Sequence, residues 1–217
     1  MTDFYGPSHR ALQDAFDTRN IADVLEAVIV APRLDDDARA FISARSYFFL
    51  STVNEHGHPT VSYKGGAPGF VRVIDDRTLV WPSYDGNGMF LSAGNIAADG
   101  RIGLLFMEFD PPHRVRVHAT ATVSADDPMI DEFPGADLVV RAVVTEAFVN
   151  CPRYISPHPQ TPSKYVPDAE GNAPLPGWKK VDALQPFLPS RFQGLAEAEG
   201  DVITPHEYAR RLRDGEA

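Results

Sequence analysis

The residues best placed to do chemistry lie in two short stretches of this 217-residue chain. The first reads Ser62-Tyr63-Lys64-Gly65-Gly66-Ala67-Pro68-Gly69-Phe70-Val71. On a strand, Ser62 and Lys64 share one face and present a hydroxyl and an ammonium together. The glycines after them let a backbone approach a flat ligand closely. A wide hairpin with an exposed lysine accounts for the same spacing. The second stretch reads Trp81-Pro82-Ser83-Tyr84-Asp85-Gly86-Asn87-Gly88-Met89, where a strand ends in a turn that feeds a helix. A helix start offers unpaired N–H groups and positive partial charge, which suits a phosphate. Asn87 fits equally the commoner role of a helix cap.

Other chemistries find little support. The histidines His56, His58, His113, His118, His158 and His206 are scattered, and none sits at metal-ligand spacing with Cys151 or a carboxylate, so no metal is expected. No Walker loop, G-x-S-x-G elbow or post-strand G-x-G-x-x-G occurs. A net charge of -10 and a pI of about 5.1 argue against nucleic acid or an anionic membrane as partner. They leave room for a local basic pocket. One cysteine, Cys151, cannot form an intramolecular disulfide. The first residues lack an apolar core, and no apolar run reaches the roughly 18–20 residues of a membrane span. A cytoplasmic location is the expectation.

Periodicity supplies the elements that must position these residues. Ser8 to Phe16 reads as a helix with Ser8 as cap and Leu12 and Phe16 on one face. Ile21 to Val30 places Ile21, Val24, Leu25, Val28 and Ile29 on a single stripe. Asp35, Asp36 and Asp37 open a third helix reaching Ile42, their acids matching the positive end of its dipole. These helices (8–43) are expected to cover a β meander over 46–149. Its strands are read at Tyr47–Val53, Pro59–Lys64, Phe70–Ile74, Thr78–Trp81, Ile102–Phe106, Arg114–Val123 and Leu138–Phe148, separated by turn residues. Arg114 to Val123 alternates strictly, with Val115, Val117, Ala119, Ala121 and Val123 on one face. Helices are predicted for Asp85–Ala98 and Pro128–Phe133, with Gly100 ending the former. The 150–217 extension begins rich in proline and ends in a capped helix at Thr204–Arg213. The reading is one domain, mainly β with flanking helices (α+β), of about six or seven antiparallel strands.

The two chemistry-bearing stretches, in this order, also carry a resemblance. Pro59-Thr60-Val61-Ser62-Tyr63-Lys64-Gly65-Gly66-Ala67-Pro68-Gly69-Phe70-Val71 resembles the lysine–glycine segment of the pyridoxamine 5'-phosphate oxidase-like family. Tyr84-Asp85-Gly86-Asn87, Asn95-Ile96, Gly103-Leu104-Leu105-Phe106 and Asn150-Cys151-Pro152-Arg153-Tyr154-Ile155 are similar to later segments of the same family. The resemblance implies an FMN-binding split β-barrel and a homodimer with the cofactor at its interface. It places Lys64 against the FMN phosphate, with Ser62 and Asn87 on the phosphate or ribityl chain. Pro82, Ser83 and Tyr84 would line the isoalloxazine edge, and Arg153 would be a second cation. Trp178, beside Lys179 and Lys180, would flank the flavin or anchor a loop. Two departures stand out: Gly88 and Met89 occupy positions where relatives carry a basic residue, and Tyr63 replaces a common proline. The arginine signature of true pyridoxamine phosphate oxidases is not recognisable among Arg210, Arg211 and Arg213.

The function implied is an FMN-dependent oxidoreductase acting on a small organic molecule, with no catalytic side chain identifiable. The alternative is a non-catalytic flavin- or haem-binding protein of the same fold, for which His118 or His158 would be the axial-ligand candidates. Dimerisation also finds support in the residues themselves. Strand Tyr47–Val53 is apolar on both faces, and such a strand needs cover from a helix or another chain.

Overall fold

The computed structural model describes residues 4–151, 155–156, 158 and 165–214. The chain divides into two compact units, Met1–Pro162 and Ser163–Ala217. The division falls inside the proline-rich stretch that the sequence marks as the start of an extension.

The first unit begins with three helices: α1 (Pro7–Ala15), α2 (Arg19–Ile29) and α3 (Asp36–Ser43). Ser8 does not cap α1. Pro7 starts that helix, and the Gly6 N–H donates to the His9 ring nitrogen at 3.0 Å instead. Asp35 caps α3 by accepting the Ala38 N–H at 2.7 Å. That cap turns Leu34, Ala38 and Ile42 into the main core. The first two helices do not provide the expected cover. In α2 only Ala22 is buried, while the stripe Ile21, Val24, Leu25 and Val28 stays exposed.

Seven strands come next: β1 (Tyr47–Val53), β2 (Pro59–Gly65), β3 (Arg72–Val73), β4 (Thr78–Tyr84), β5 (Arg101–Phe109), β6 (Pro112–Ser124) and β7 (Ala136–Val149). Helix α4 (Leu91–Ala98) interrupts them. They form one antiparallel sheet in the order β2-β1-β5-β6-β7-β4-β3. In that order β1 and β4 are four strand steps apart, roughly 19 Å in a flat sheet. Yet the Phe48 ring of β1 meets Trp81 of β4 at 5.3 Å between centroids, and Phe106 of β5 at 5.1 Å. The sheet must therefore curl until its outer strands face each other. Edge strands β2 and β3 remain unpaired with one another, so the barrel is split, as expected.

The period-two pattern places the core. In β6, Val115, Val117, Ala119 and Ala121 are buried, and Arg116, His118, Thr120 and Thr122 are exposed. The outer face of β1 finds its cover within its own sheet. Tyr47 stacks on Tyr63 of β2 at 5.3 Å and on Phe109 of β5 at 6.2 Å. Arg141 of β7 grips the buried Asp127 carboxylate with two donors, at 3.0 and 3.1 Å, and tethers the loop before a short 3-10 turn at Ile130–Glu132.

The second unit is built from 3-10 turns, the single-turn helix α5 (Leu195–Ala198) and α6 (Pro205–Asp214). The Thr204 hydroxyl accepts the Glu207 N–H at 3.2 Å, capping α6 as predicted. The Lys179 side chain is buried, its ammonium 3.3 Å from the centre of the Phe192 ring and 5.4 Å from that of Trp178. Trp178 thus packs within this unit.

Because Phe48 is fully buried where the two ends of the sheet meet, Phe48→Ala should destabilise the first unit by about 3–5 kcal/mol. The measurement is a lower urea midpoint at unchanged slope.

Candidate functional site

Curling the sheet leaves a small open cavity in the seam between its two ends. Leu50 of β1, Trp81 of β4, Ile96 of α4 and Val140 of β7 form an apolar floor. Lys64 of β2, Pro82 and Ser83 of β4, and Ser92 and Ala93 of α4 complete the lining. Strands β2 and β4 are five steps apart in the sheet order, and only curling lets both contribute.

The alternation of β2 aims its polar side chains inward. Thr60, Ser62 and Lys64 are partly covered, while Val61 and Tyr63 between them are exposed. Each inner hydroxyl has a partner. Ser62 and Ser92 share a hydrogen bond at 3.1 Å, which ties β2 to the first turn of α4. The Asn95 side-chain N–H donates to the Thr52 hydroxyl at 2.9 Å, and the Thr52 and Thr60 hydroxyls share a hydrogen bond, also at 2.9 Å. Buried polar groups are tolerated when paired in this way. Lys64 differs. Burial pulls its ammonium below the usual lysine range, and among the described residues no carboxylate acts on it. A half-buried cation without an acid nearby is an arrangement suited to an anionic ligand.

Helix α4 starts later than its sequence period suggests. Asn87 sits in a turn, where its side-chain oxygen accepts the Met89 N–H at 3.1 Å. Gly88 has a φ of +77° and Phe90 a left-handed φ of 48°, so the helix begins only at Leu91. Its first carbonyl bond runs from the Gly94 N–H to the Phe90 oxygen at 2.7 Å. The free N–H groups of a helix start therefore belong to the Leu91–Ala93 turn, beside the cavity. Asn87 lies in the turn that precedes it and is exposed.

Lys64, Pro82 and Ser83 thus come together on one cavity, and Ser62 joins them through Ser92. Tyr84 comes after a register shift at Ser83 and is half-buried outside the lining; burial raises its phenol above the usual range, and the Arg72 charge opposes that shift. Arg153 lies outside the described residues. Ser92 and Ala93 are lining residues that no motif in the sequence singles out. The glycines after Lys64 serve the chain itself. A Cβ on Gly66 would stand 2.6 Å from the Phe70 ring, and one on Gly65 would stand 2.8 Å from Tyr63. The close approach they allow is that of neighbouring aromatic rings.

Neither axial-ligand candidate lines the cavity. His118 projects from the outer face of β6, with its Nδ1 2.7 Å from a Glu146 carboxylate oxygen and its ring against Phe4 and Phe148. His158 packs on Phe109. Among the described residues, no three His, Cys, Asp or Glu side chains cluster as a metal site.

No curated protein matches the chain. Among solved structures, a candidate pyridoxamine 5'-phosphate oxidase from Lactobacillus delbrueckii is 27% identical, covering 54% of this chain and 95% of its own, with a TM-score of 0.44. An FMN-binding protein from Syntrophomonas wolfei is 12% identical over 64% of this chain and 97% of its own, with a TM-score of 0.39. The haem storage protein HutZ from Vibrio cholerae is 18% identical over 54% of this chain and 94% of its own, with a TM-score of 0.40. A family model described as pyridoxamine 5'-phosphate oxidase matches residues 34–152, more than half of the chain and every element that lines the cavity, and the chain therefore belongs to that family.

Proposed function

We propose that this protein is an FMN-dependent oxidoreductase that acts on a small organic substrate as a homodimer, with the cofactor between the two chains. The observation that carries the reading is the Lys64 ammonium, partly desolvated beside paired serine hydroxyls and a helix start, with no acid among the described residues acting on it. That donor set matches a phosphate monoester: a point charge, hydroxyls and oriented N–H groups.

On this reading Lys64 holds the phosphate as a counter-charge, and Ser62 and Ser92 hydrogen-bond it or the ribityl chain. Pro82 and Ser83 line the isoalloxazine edge, with Tyr84 next along the strand. Asn87 contributes from the preceding turn and Arg153 adds a second cation. Bound FMN would supply the redox chemistry, passing a hydride or electrons between a reductant and the substrate. The protein's part is to bind, orient and shield from water.

Among the described residues, Lys64 is the sole titratable side chain in the lining, so these residues offer few groups for proton transfer to a substrate. That favours, as the second reading, a flavin-binding protein of the same fold without turnover; haem is the other ligand such a protein would hold. No helix among the described residues is long and apolar enough to cross a membrane. A cytoplasmic location is part of the proposal and rests on the lone cysteine and the composition.

The purified protein, mixed with FMN and desalted, should retain flavin absorbance near about 375 and 450 nm. Failure to retain FMN would refute the flavoprotein reading, and a Soret band would favour haem. Retained flavin without oxidation of any offered reductant would favour the non-catalytic form. Lys64→Ala should weaken FMN binding by about 10- to 100-fold, the value of one charge-assisted contact, and leave riboflavin binding nearly unchanged. Equal losses for both ligands would remove Lys64 from the phosphate site. Because burial lowers the Lys64 pKa, the FMN-over-riboflavin preference should fade as pH rises, earlier than an ordinary lysine would allow. Titrations of both ligands across that range check it.

A further inference from the structure

We propose that Asn87 is a spontaneous modification site: with Gly88 it closes to a succinimide that opens to aspartate or isoaspartate. The new carboxylate stands in the turn that joins the β4 and α4 parts of the cavity lining. The modification stands on that turn alone, and its effect on a cofactor rests on the flavoprotein reading.

The asparagines of the chain are Asn20, Asn54, Asn87, Asn95, Asn150 and Asn172, and only Asn87 precedes a glycine. The reaction requires the backbone nitrogen of the next residue to reach the asparagine Cγ. A side chain on that next residue crowds the approach, and a hydrogen bond from its N–H opposes loss of the proton. Gly88 presents neither obstacle. Apart from its chain neighbours, nothing lies within 4 Å of where a Cβ would stand. Among the described residues no hydrogen bond engages its N–H. The turn belongs to neither a helix nor a strand, and residues 85–90 are all exposed, so water and base reach the bond.

The Asn87 side chain is also set for attack. Its Oδ1 accepts the Met89 N–H at 3.1 Å. That oxygen gains negative charge as nitrogen adds to Cγ, so the N–H serves there as an oxyanion donor. Among the described residues Nδ2 donates to the Met89 sulfur alone, at 3.2 Å, and a thioether is a weak acceptor that holds a leaving group poorly. In the first step the Gly88 nitrogen gives its proton to solvent base and bonds to Cγ. The Cγ–Nδ2 bond breaks, and ammonia leaves with a proton from solvent. Water then opens the ring at either carbonyl. Breaking the bond from nitrogen to Cγ gives aspartate, and breaking the bond from nitrogen to the Asn87 backbone carbonyl carbon gives isoaspartate. One water is consumed and one ammonia released, with no change of oxidation state.

Two other asparagines isolate the cause. The Asn54 oxygen likewise accepts backbone N–H groups, from His56 and His58 at 3.0 and 2.9 Å, yet Glu55 follows it. Asn95 is buried in α4, with its amide on Thr52 and the β-branched Ile96 next in the chain. Both should persist where Asn87 does not. The consequence is electrostatic. Ser83 and Ser92 line the cavity on either side of the turn, and the four residues from Ser83 to Asn87 span at most about 14 Å. That is comparable to the Debye length of about 10 Å at 0.1 M salt, so the new charge acts on the cavity most at low salt. It opposes the same anion that Lys64 attracts.

The test is the mass of the tryptic peptide Thr78–Arg101, which carries Asn87 and Asn95, during incubation of the full chain in mildly alkaline buffer. Asn87 should exchange its amide for an acid and split the peptide into two isomers of equal mass, while Asn95 and Asn54 keep their amides. Gly88→Ala should suppress the change. Asn87→Gln should suppress it as well, without the strain that alanine meets at the Gly88 φ of +77°. An Asn87 amide as durable as that of Asn54, or a loss that Gly88→Ala leaves unaltered, would overturn the proposal. At low salt Asn87→Asp should raise the FMN dissociation constant about 2- to 5-fold over that of Asn87→Ala, with riboflavin unaffected and the difference fading at high salt. Equal FMN affinities for those two variants at low salt would overturn the link to the cavity. A protein that loses the Asn87 amide and retains no FMN would fail the flavin reading and keep the modification.

Discussion

The contact between Phe48 and Trp81 is the constraint on which the first unit depends. Two rings on strands four steps apart in the sheet cannot meet at 5.3 Å unless the sheet rolls up. Phe106 and Phe70 complete the cluster, and the burial of these large aromatic surfaces is the driving term for closure. Closure is incomplete because β2 and β3 do not pair with each other. The seam that remains is where the cavity lies, so the same contact that makes the core also makes the site.

A seam between strands that do not pair must settle its polar groups some other way. Here helix α4 lies over it and does so with short side chains. Ser92 reaches Ser62, and Asn95 reaches Thr52 and, through it, Thr60. These bonds hold the helix in register with β2, and Ile96 anchors it to the core from the same turn. Within this set, Lys64 is the cation that burial perturbs. Desolvating a lysine without an acid beside it is unfavourable, and proteins keep such an arrangement where something else supplies the charge.

The remaining parts of the chain obey different rules. The second unit is short and contains little regular structure. It leans on buried aliphatic stems and ion pairs, with Lys180 held by Asp201 and Glu199, and Asp201 held in turn by Arg211. In the first unit, the α1–α2 hairpin turns its charges inward, with Arg10 pairing with Asp23 and Glu26. An amphipathic pattern in a sequence states that a helix has an apolar face, and it leaves open what that face meets.

Sequence alone determined the elements whose signal is local. The alternation from Val115 to Val123, the turn residues between strands, the acid-led start of α3 and the Thr204 cap each depend on neighbours a few residues away. So did the shared face of Ser62 and Lys64, which the two-residue period of a strand dictates. The order of motifs was enough to suggest the family that the matched residues 34–152 establish. Tertiary structure decided what depends on distant partners. The start of α4 moved from Asp85 to Leu91 because the positive φ of Gly88 and the left-handed Phe90 keep the preceding turn out of the helix. Gly66 is small for the Phe70 ring, and Ser92 joins the site through a strand thirty residues earlier. The stripe of α2 was legible as a stripe, but its exposure was not, because exposure depends on which face the ion pairs of Arg10 turn inward. Periodicity records the direction of a side chain along its own element; only packing settles what stands opposite.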